Sequence, residues 1–157
     1  MRFYIKQKVF SFNDQFKVKD EQERDAYYVE GKTFSLGNKL HIYNMQNEEI
    51  LYIEQKLFSL KPAFELYKNS EHVATVKKSF NLFKNNYTIE GTNWTIEGSI
   101  LEHNYVINND GGRTIAEVNR KLISWGDAYS IDIYDEKHVE TLLGVVIVID
   151  TVSTGQN

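Results

Sequence analysis

Four histidines, His41, His72, His103 and His138, have the widest chemical reach in this 157-residue chain. No two of them stand at metal-ligand spacing, and no His-Glu-x-x-His occurs. They read as surface or strand histidines. The chain has no cysteine, which excludes a disulfide framework, a thiolate metal site and a cysteine nucleophile. No Gly-x-Ser-x-Gly elbow is present. Ser11, Ser59 and Ser124 recur at one position of an internal repeat, so they read as structural; a nucleophile would not need three copies in three places. Asn109-Asp110-Gly111-Gly112 has the chemistry of a hairpin turn rather than of a phosphate cradle. The adjacent acids Glu48-Glu49 and Asp135-Glu136 sit beside turn signals and read as solvated loops. A catalytic pair would need two carboxylates in different environments. The expectation is a non-enzymatic protein without catalytic residues, metal ligands or cofactor.

The remaining chemistry is electrostatic. The net charge is -4, which does not favour nucleic acid as a partner. Its distribution is uneven: residues 55–89 hold six lysines against two glutamates, and residues 127–157 hold six acids against one lysine. Lys56, Lys61, Lys77, Lys78 and Lys84 therefore form the candidate site for an anionic lipid headgroup or phosphate. The plainer reading of these lysines is a solvated surface, and of the repeated Lys8, Lys56 and Lys121 a device that blunts strand aggregation. Trp94 and Trp125 read as core or rim packing rather than as stacking platforms.

The elements that must carry these residues follow from a repeat. Tyr4-Ile5-Lys6-Gln7-Lys8-Val9-Phe10-Ser11-Phe12 returns as Tyr52-Ile53-Glu54-Gln55-Lys56-Leu57-Phe58-Ser59-Leu60, and again, less closely, from Val118 to Trp125. With three weaker copies the units begin at Ile5, Val29, Ile53, Val76, Ile96 and Val118, spaced by 24, 24, 23, 20 and 22 residues. Each unit holds two segments of alternating apolar and polar residues, the period of a half-buried strand. Turn chemistry separates them at Asn44–Asn47, Lys68–Glu71 and Asn108–Gly112, with a charged loop at Asp20–Asp25. Six two-strand units predict about twelve antiparallel strands over residues 1–134, closed into a barrel that removes its edges.

A barrel of that size needs a filler. Glu136–Asp150 supplies one, with the apolar run Leu142–Ile149. Two principles conflict here. The β-branched residues from Val145 to Ile149 favour a strand. A segment apolar on every side also suits a helix buried on every side, and Asp135 is placed to cap one. Burial is worth about 1.5–3 kcal/mol per large side chain, more than the propensity loss of under ~1 kcal/mol. The prediction is a central helix over 136–150. The run is far short of the ~20 residues that span a bilayer. Charged residues near the start leave no signal-peptide core, so a cytoplasmic protein, peripheral to membrane at most, is expected.

The repeat and the apolar tail together resemble the LURP-one-related family. The residues that carry the resemblance are Tyr4–Phe12, Tyr28–Leu40, Ile53–Lys56, Ser124–Tyr129 and Val146–Asp150. It covers the chain, read as a single domain over 1–157. The resemblance implies a tubby-like fold, a twelve-stranded barrel around a hydrophobic C-terminal helix, related to tubby domains, which bind phosphoinositides, and to phospholipid scramblases. The scramblases' cysteine-rich and calcium-binding features are absent from this sequence. No site residue transfers. The expected function is a binding or regulatory module for an anionic lipid or membrane surface. The alternatives are a protein-interaction scaffold and an enzyme with a rim site, and the oligomeric state is left open.

Overall fold

The computed structural model describes residues 1–6, 15–34, 37–81, 84–123 and 126–154. Its strands are β1 (Arg2–Lys6), β2 (Gln15–Lys19), β3 (Asp25–Phe34), β4 (Gly37–Asn44), β5 (Glu49–Gln55) and β6 (Ala63–Lys68). They continue as β7 (Glu71–Asn81), β8 (Lys84–Glu90), β9 (Thr95–Ser99), β10 (Asn104–Asn108), β11 (Thr114–Ile123) and β12 (Gly126–Ile133). A 3-10 turn over Glu136–His138 leads into one helix, α1 (Val139–Thr154).

The six repeat starts fall one each in β1, β3, β5, β7, β9 and β11, so each repeat is a hairpin. Ile5, Val29, Ile53, Val76 and Val118 are buried, and Ile96 packs against the same core. The second strands place Val18, Ile42, Leu66, Ile89, Ile107 and Ile131 in that core. The period-two pattern thus has one meaning throughout: one face of each strand looks inward.

The sheet runs β8-β7-β6-β5-β4-β3-β2-β1-β12-β11-β10-β9, with antiparallel neighbours. The chain ends meet where β1 pairs with β12, and Met1 and Ile133 exchange backbone hydrogen bonds. Arg2 adds a bidentate pair to Asp132, at 2.6 and 3.1 Å. The barrel departs from full closure at one seam. Among the described residues no ladder joins β8 to β9, and a cleft of about 370 Å³ lined by Tyr87, Ile89, Trp94 and Ile96 lies between them.

Alternation of direction puts the connections that follow β1, β3, β5, β7, β9 and β11 at one end, the loop end, and the others at the turn end. Three turn-end connections have the same construction. Asp20, Asn44 and Asn109 each accept two backbone N–H bonds on Oδ1, from the residues two and four positions on, at 2.9–3.0 Å. Each then places its fourth residue in the left-handed region, at Glu23 (φ 62°), Asn47 (φ 66°) and Gly112 (φ 78°).

Helix α1 enters from the turn end, where Lys68 pairs with Glu140 at 2.6 Å. Asp135 caps the preceding 3-10 turn by accepting from the Lys137 N–H. Leu142, Leu143 and the whole β-branched run from Val145 to Ile149 are fully buried, so burial outweighs strand propensity. The helix continues past the expected Asp150 to Thr154. Gly144 lets it lie close to the sheet: a Cβ there would run into the Leu51 side chain and come within 3.3 Å of Leu66. No described helix is long and apolar enough to cross a membrane.

Candidate functional site

With the interior occupied by α1, the chemistry available to a partner lies on the barrel's outside. At the loop end, β5 leaves its ladder after Gln55 and β6 begins at Ala63. The connection is anchored at both shoulders. Lys56 N–H donates to the Ala63 carbonyl at 2.8 Å, and Lys78 N–H donates to the Pro62 carbonyl at 2.9 Å. Between these anchors the chain turns with Phe58 at φ 59°. An L-residue in that region costs about 1–2 kcal/mol, and here it is an aromatic one.

The turn sends its apolar side chains outward. Phe58 and Leu60 are fully exposed, at 103% and 98%, and Leu57 is exposed beside them. Lys56 and Lys61, both exposed, stand on either side. Leu101 in the β9–β10 turn adds a further exposed apolar side chain at the same end. Other repeats hold Phe10-Ser11-Phe12 and Ile123-Ser124-Trp125 at the corresponding position. Of these, residues 7–14 and 124–125 lie outside the described residues, and with them Lys8, Ser11, Ser124 and Trp125.

The candidate lysines whose side chains are described do not form one patch. Lys56 and Lys61 share the β5–β6 connection. Lys77 and Lys78 are neighbours in β7, so their side chains leave on opposite faces of the sheet. Lys77 is paired with Glu90 at 3.1 Å. Lys84 opens β8, and its side chain, like that of Asn86, lies outside the described residues.

On the outer wall an aromatic stripe runs from the middle of β5 toward the turn end. Tyr52 and Tyr67 pair across β5–β6 and stack with centroids 6.1 Å apart; Tyr67 then meets His72 edge-on at 5.6 Å. His41, which pairs with Glu49, lies 5.1 Å from Tyr52. Tyr52 donates to Glu54 at 2.9 Å, and burial together with that carboxylate pushes its phenol up to about 12. Burial and then the charges of Glu54 and Glu65 raise Tyr67 as well. A cleft of about 660 Å³ is lined here by Lys39, Glu54, Lys56, Glu65, Tyr67 and His72, among others.

One histidine departs from the surface or strand reading. His103 is buried in the β9–β10 turn at φ 50°, paired with Asp150 of α1. The sequence Leu101-Glu102-His103-Asn104 has the polarity of an exposed turn and carries no signal of this pairing. The exposure of Phe58 and Leu60 was equally hidden, because apolar letters in a strand repeat read as core. Trp94 is half-buried at the rim and meets His138 edge-on at 5.4 Å. Among the described residues no group of three His, Asp or Glu could hold a metal ion.

Comparison with known proteins places this architecture. The chain is 35% identical over 152 residues to the uncharacterized protein YxjI of Bacillus subtilis strain 168, covering 97% of this chain and 93% of that one. The X-ray structure of an Arabidopsis thaliana protein superposes with a TM-score of 0.67 at 14% identity, over 95% of this chain and 90% of its own. That likeness establishes the shared fold. The LURP-one-related family model matches residues 1–150, and the chain belongs to the LURP-one-related family.

Proposed function

We propose that this protein is a binding module that docks peripherally on anionic membrane surfaces through its loop end. The observation that carries this reading is the β5–β6 connection, where the fully exposed Phe58 and Leu60 stand between Lys56 and Lys61. In water these apolar side chains gain nothing from their position. Buried among acyl chains, each contributes about 1.5–3 kcal/mol. Each lysine near an anionic leaflet adds about 1 kcal/mol. Such a combination of one apolar and one basic signal gives reversible attachment rather than insertion. The left-handed Phe58 supports the reading, because strain of that kind persists where it serves a function.

Sedimentation with vesicles of phosphatidylglycerol and phosphatidylcholine tests it. Wild-type protein is expected to bind at low salt and more weakly at physiological salt. Phe58→Ser with Leu60→Ser should lose binding at both, and Lys56→Glu with Lys61→Glu should lose the salt-sensitive part. Wild-type protein that stays in the supernatant at both salts removes the membrane reading.

A further inference from the structure

The cleft beside the docking loop carries both signs of charge in an ordered arrangement. Glu54 and Glu65 are directly opposite each other across β5–β6. Like charges at such a position are destabilising unless something between or beside them compensates. Both carboxylates are held in place: Glu54 accepts from Tyr52 at 2.9 Å, and Glu65 accepts from Thr75 Oγ1 at 2.9 Å and pairs with His72 Nε2 at 2.5 Å. Tyr67 lies in the same cleft. Lys39 and Lys56 complete the lining, and Lys56 forms no ion pair among the described residues. Lys39 is directly opposite Glu54 in the β4–β5 register.

Two lysines stand against two glutamates, so the cleft carries both signs of charge in equal number. A simple anion or a simple cation is attracted by one half and repelled by the other. A zwitterion aligned with the cleft is attracted by both. The cleft is open to solvent, and its volume of about 660 Å³ leaves room for a small zwitterion. Lys56 and Leu57 belong both to this cleft and to the apolar connection, so a headgroup held here has the Leu57–Leu60 surface next to it.

We propose that the cleft formed by Glu54, Glu65 and Tyr67 with Lys39 and Lys56 binds a phosphoethanolamine group, its ammonium on the glutamates and its phosphate on the lysines. The ammonium is a primary one because fixed carboxylates reward N–H donors, which a trimethylammonium lacks. This assignment rests on the membrane-docking reading for its lipid source, and on the cleft alone for its chemistry.

The experiment has a vesicle arm and a soluble arm. Vesicles with a constant fraction of phosphatidylglycerol are made up with either phosphatidylcholine or phosphatidylethanolamine. Wild-type protein should bind the phosphatidylethanolamine vesicles about tenfold more tightly, the effect of one charge-assisted hydrogen bond. Glu54→Gln with Glu65→Gln should erase that preference while still binding the phosphatidylcholine vesicles, more tightly than wild type because two negative charges are gone from beside an anionic surface, which also shows that it folds. Because this variant keeps the loop, it separates headgroup recognition from any effect of lipid packing. In the soluble arm, phosphoethanolamine is titrated against the intact protein while NMR signals of Tyr67 and His72 are followed, with phosphocholine as control.

A preference in the vesicle arm alone identifies the lipid as the source. Shifts with soluble phosphoethanolamine that the double variant lacks identify the free compound as sufficient. Equal binding to both vesicles without soluble shifts overturns the cleft assignment and leaves docking intact. A preference that survives Glu54→Gln with Glu65→Gln, again without soluble shifts, also overturns it. If no vesicle is bound, docking fails and the soluble arm decides the cleft by itself.

Discussion

His103 Nε2 donates to Asp150 Oδ1 at 2.7 Å, tying the β9–β10 turn to the last turns of the central helix. Both side chains are buried, at 6% and 4% exposure, and the imidazole stacks on Tyr129 with centroids 4.5 Å apart. Burial and the Asp150 charge push the Tyr129 phenol far above its ordinary value, so this hydroxyl stays protonated beside the carboxylate. The pair is a clasp that fixes how far α1 reaches toward the loop end. Tyr87 reinforces it from β8 by a 2.8 Å hydrogen bond to Ser153.

Removing the two halves of the clasp should have unequal effects. His103→Ala leaves a carboxylate in the core without its imidazole, and losses of about 3–5 kcal/mol are typical of that situation. Asp150→Leu removes the charged partner and leaves one ring nitrogen without its acceptor, so its cost should be nearer ~1–3 kcal/mol. His103→Phe with Asp150→Leu keeps the ring on Tyr129 and removes both polar groups, and should recover much of the loss. Urea unfolding of the three variants measures this. Equal losses in both single variants, with no recovery in the double, would show that the pair is not the stabilising unit.

The three matching turns allow a comparison within one molecule. Gly112 occupies the left-handed position of its turn without steric cost, and Glu23 occupies the same position with a side chain. Glu23→Gly should therefore raise stability by up to about 1 kcal/mol, the left-handed penalty less the entropy of glycine. Asn44→Ala should lower it by roughly 1–2 kcal/mol, because two backbone donors lose their acceptor. Thermal unfolding resolves both signs, and a Glu23→Gly protein less stable than wild type would overturn this account of the turns.

The barrel was legible in the sequence for the same reason that its site was not. A strand writes its inner face as every second letter, and six hairpins repeat that writing, so Ile5, Ile53 and Val118 announce one position in one fold. The helix was legible only because the barrel needed a filler, since Val145–Ile149 taken alone reads as a strand. Phe58 and Leu60 obey the apolar letters of the repeat but fall beyond the end of the ladder, where those letters mean exposure. The pairing of Glu54 with Glu65 depends on the β5–β6 register, and that of His103 with Asp150 on how deep α1 sits; neither distance is local in sequence.

Asp25 gives the stability a dependence on acid. Hydrogen bonds from Lys17, at 2.8 Å, and then Lys19, at 2.7 Å, hold its carboxyl below the usual range. A lowered value in the folded state means stabilisation that is complete above the unfolded value of about 3.9 and lost as pH falls through the folded one. Asp25→Asn should thus be less stable than wild type at neutral pH, by under about 1 kcal/mol for so exposed a pair, and less so in high salt. The two proteins should converge in acid below the folded value. A difference that persists unchanged there would mean the ion pairs are not its cause.

Phe58 tests whether the loop end is built for stability or for binding. Its backbone is left-handed and its ring is in water, so neither contributes to the fold. Phe58→Gly should raise stability by up to about 1 kcal/mol by relieving the turn. The same change deletes an apolar side chain from the proposed docking surface and should weaken vesicle binding about tenfold or more, the equivalent of at least ~1.5 kcal/mol of lost burial. Phe58→Leu restores an apolar side chain in the same strained turn, and should recover binding without the gain in stability. If Phe58→Gly is more stable and binds vesicles as well as wild type, the exposed ring is not the docking element. Opposite movements of stability and binding in one variant are what a strained, outward-facing Phe58 predicts.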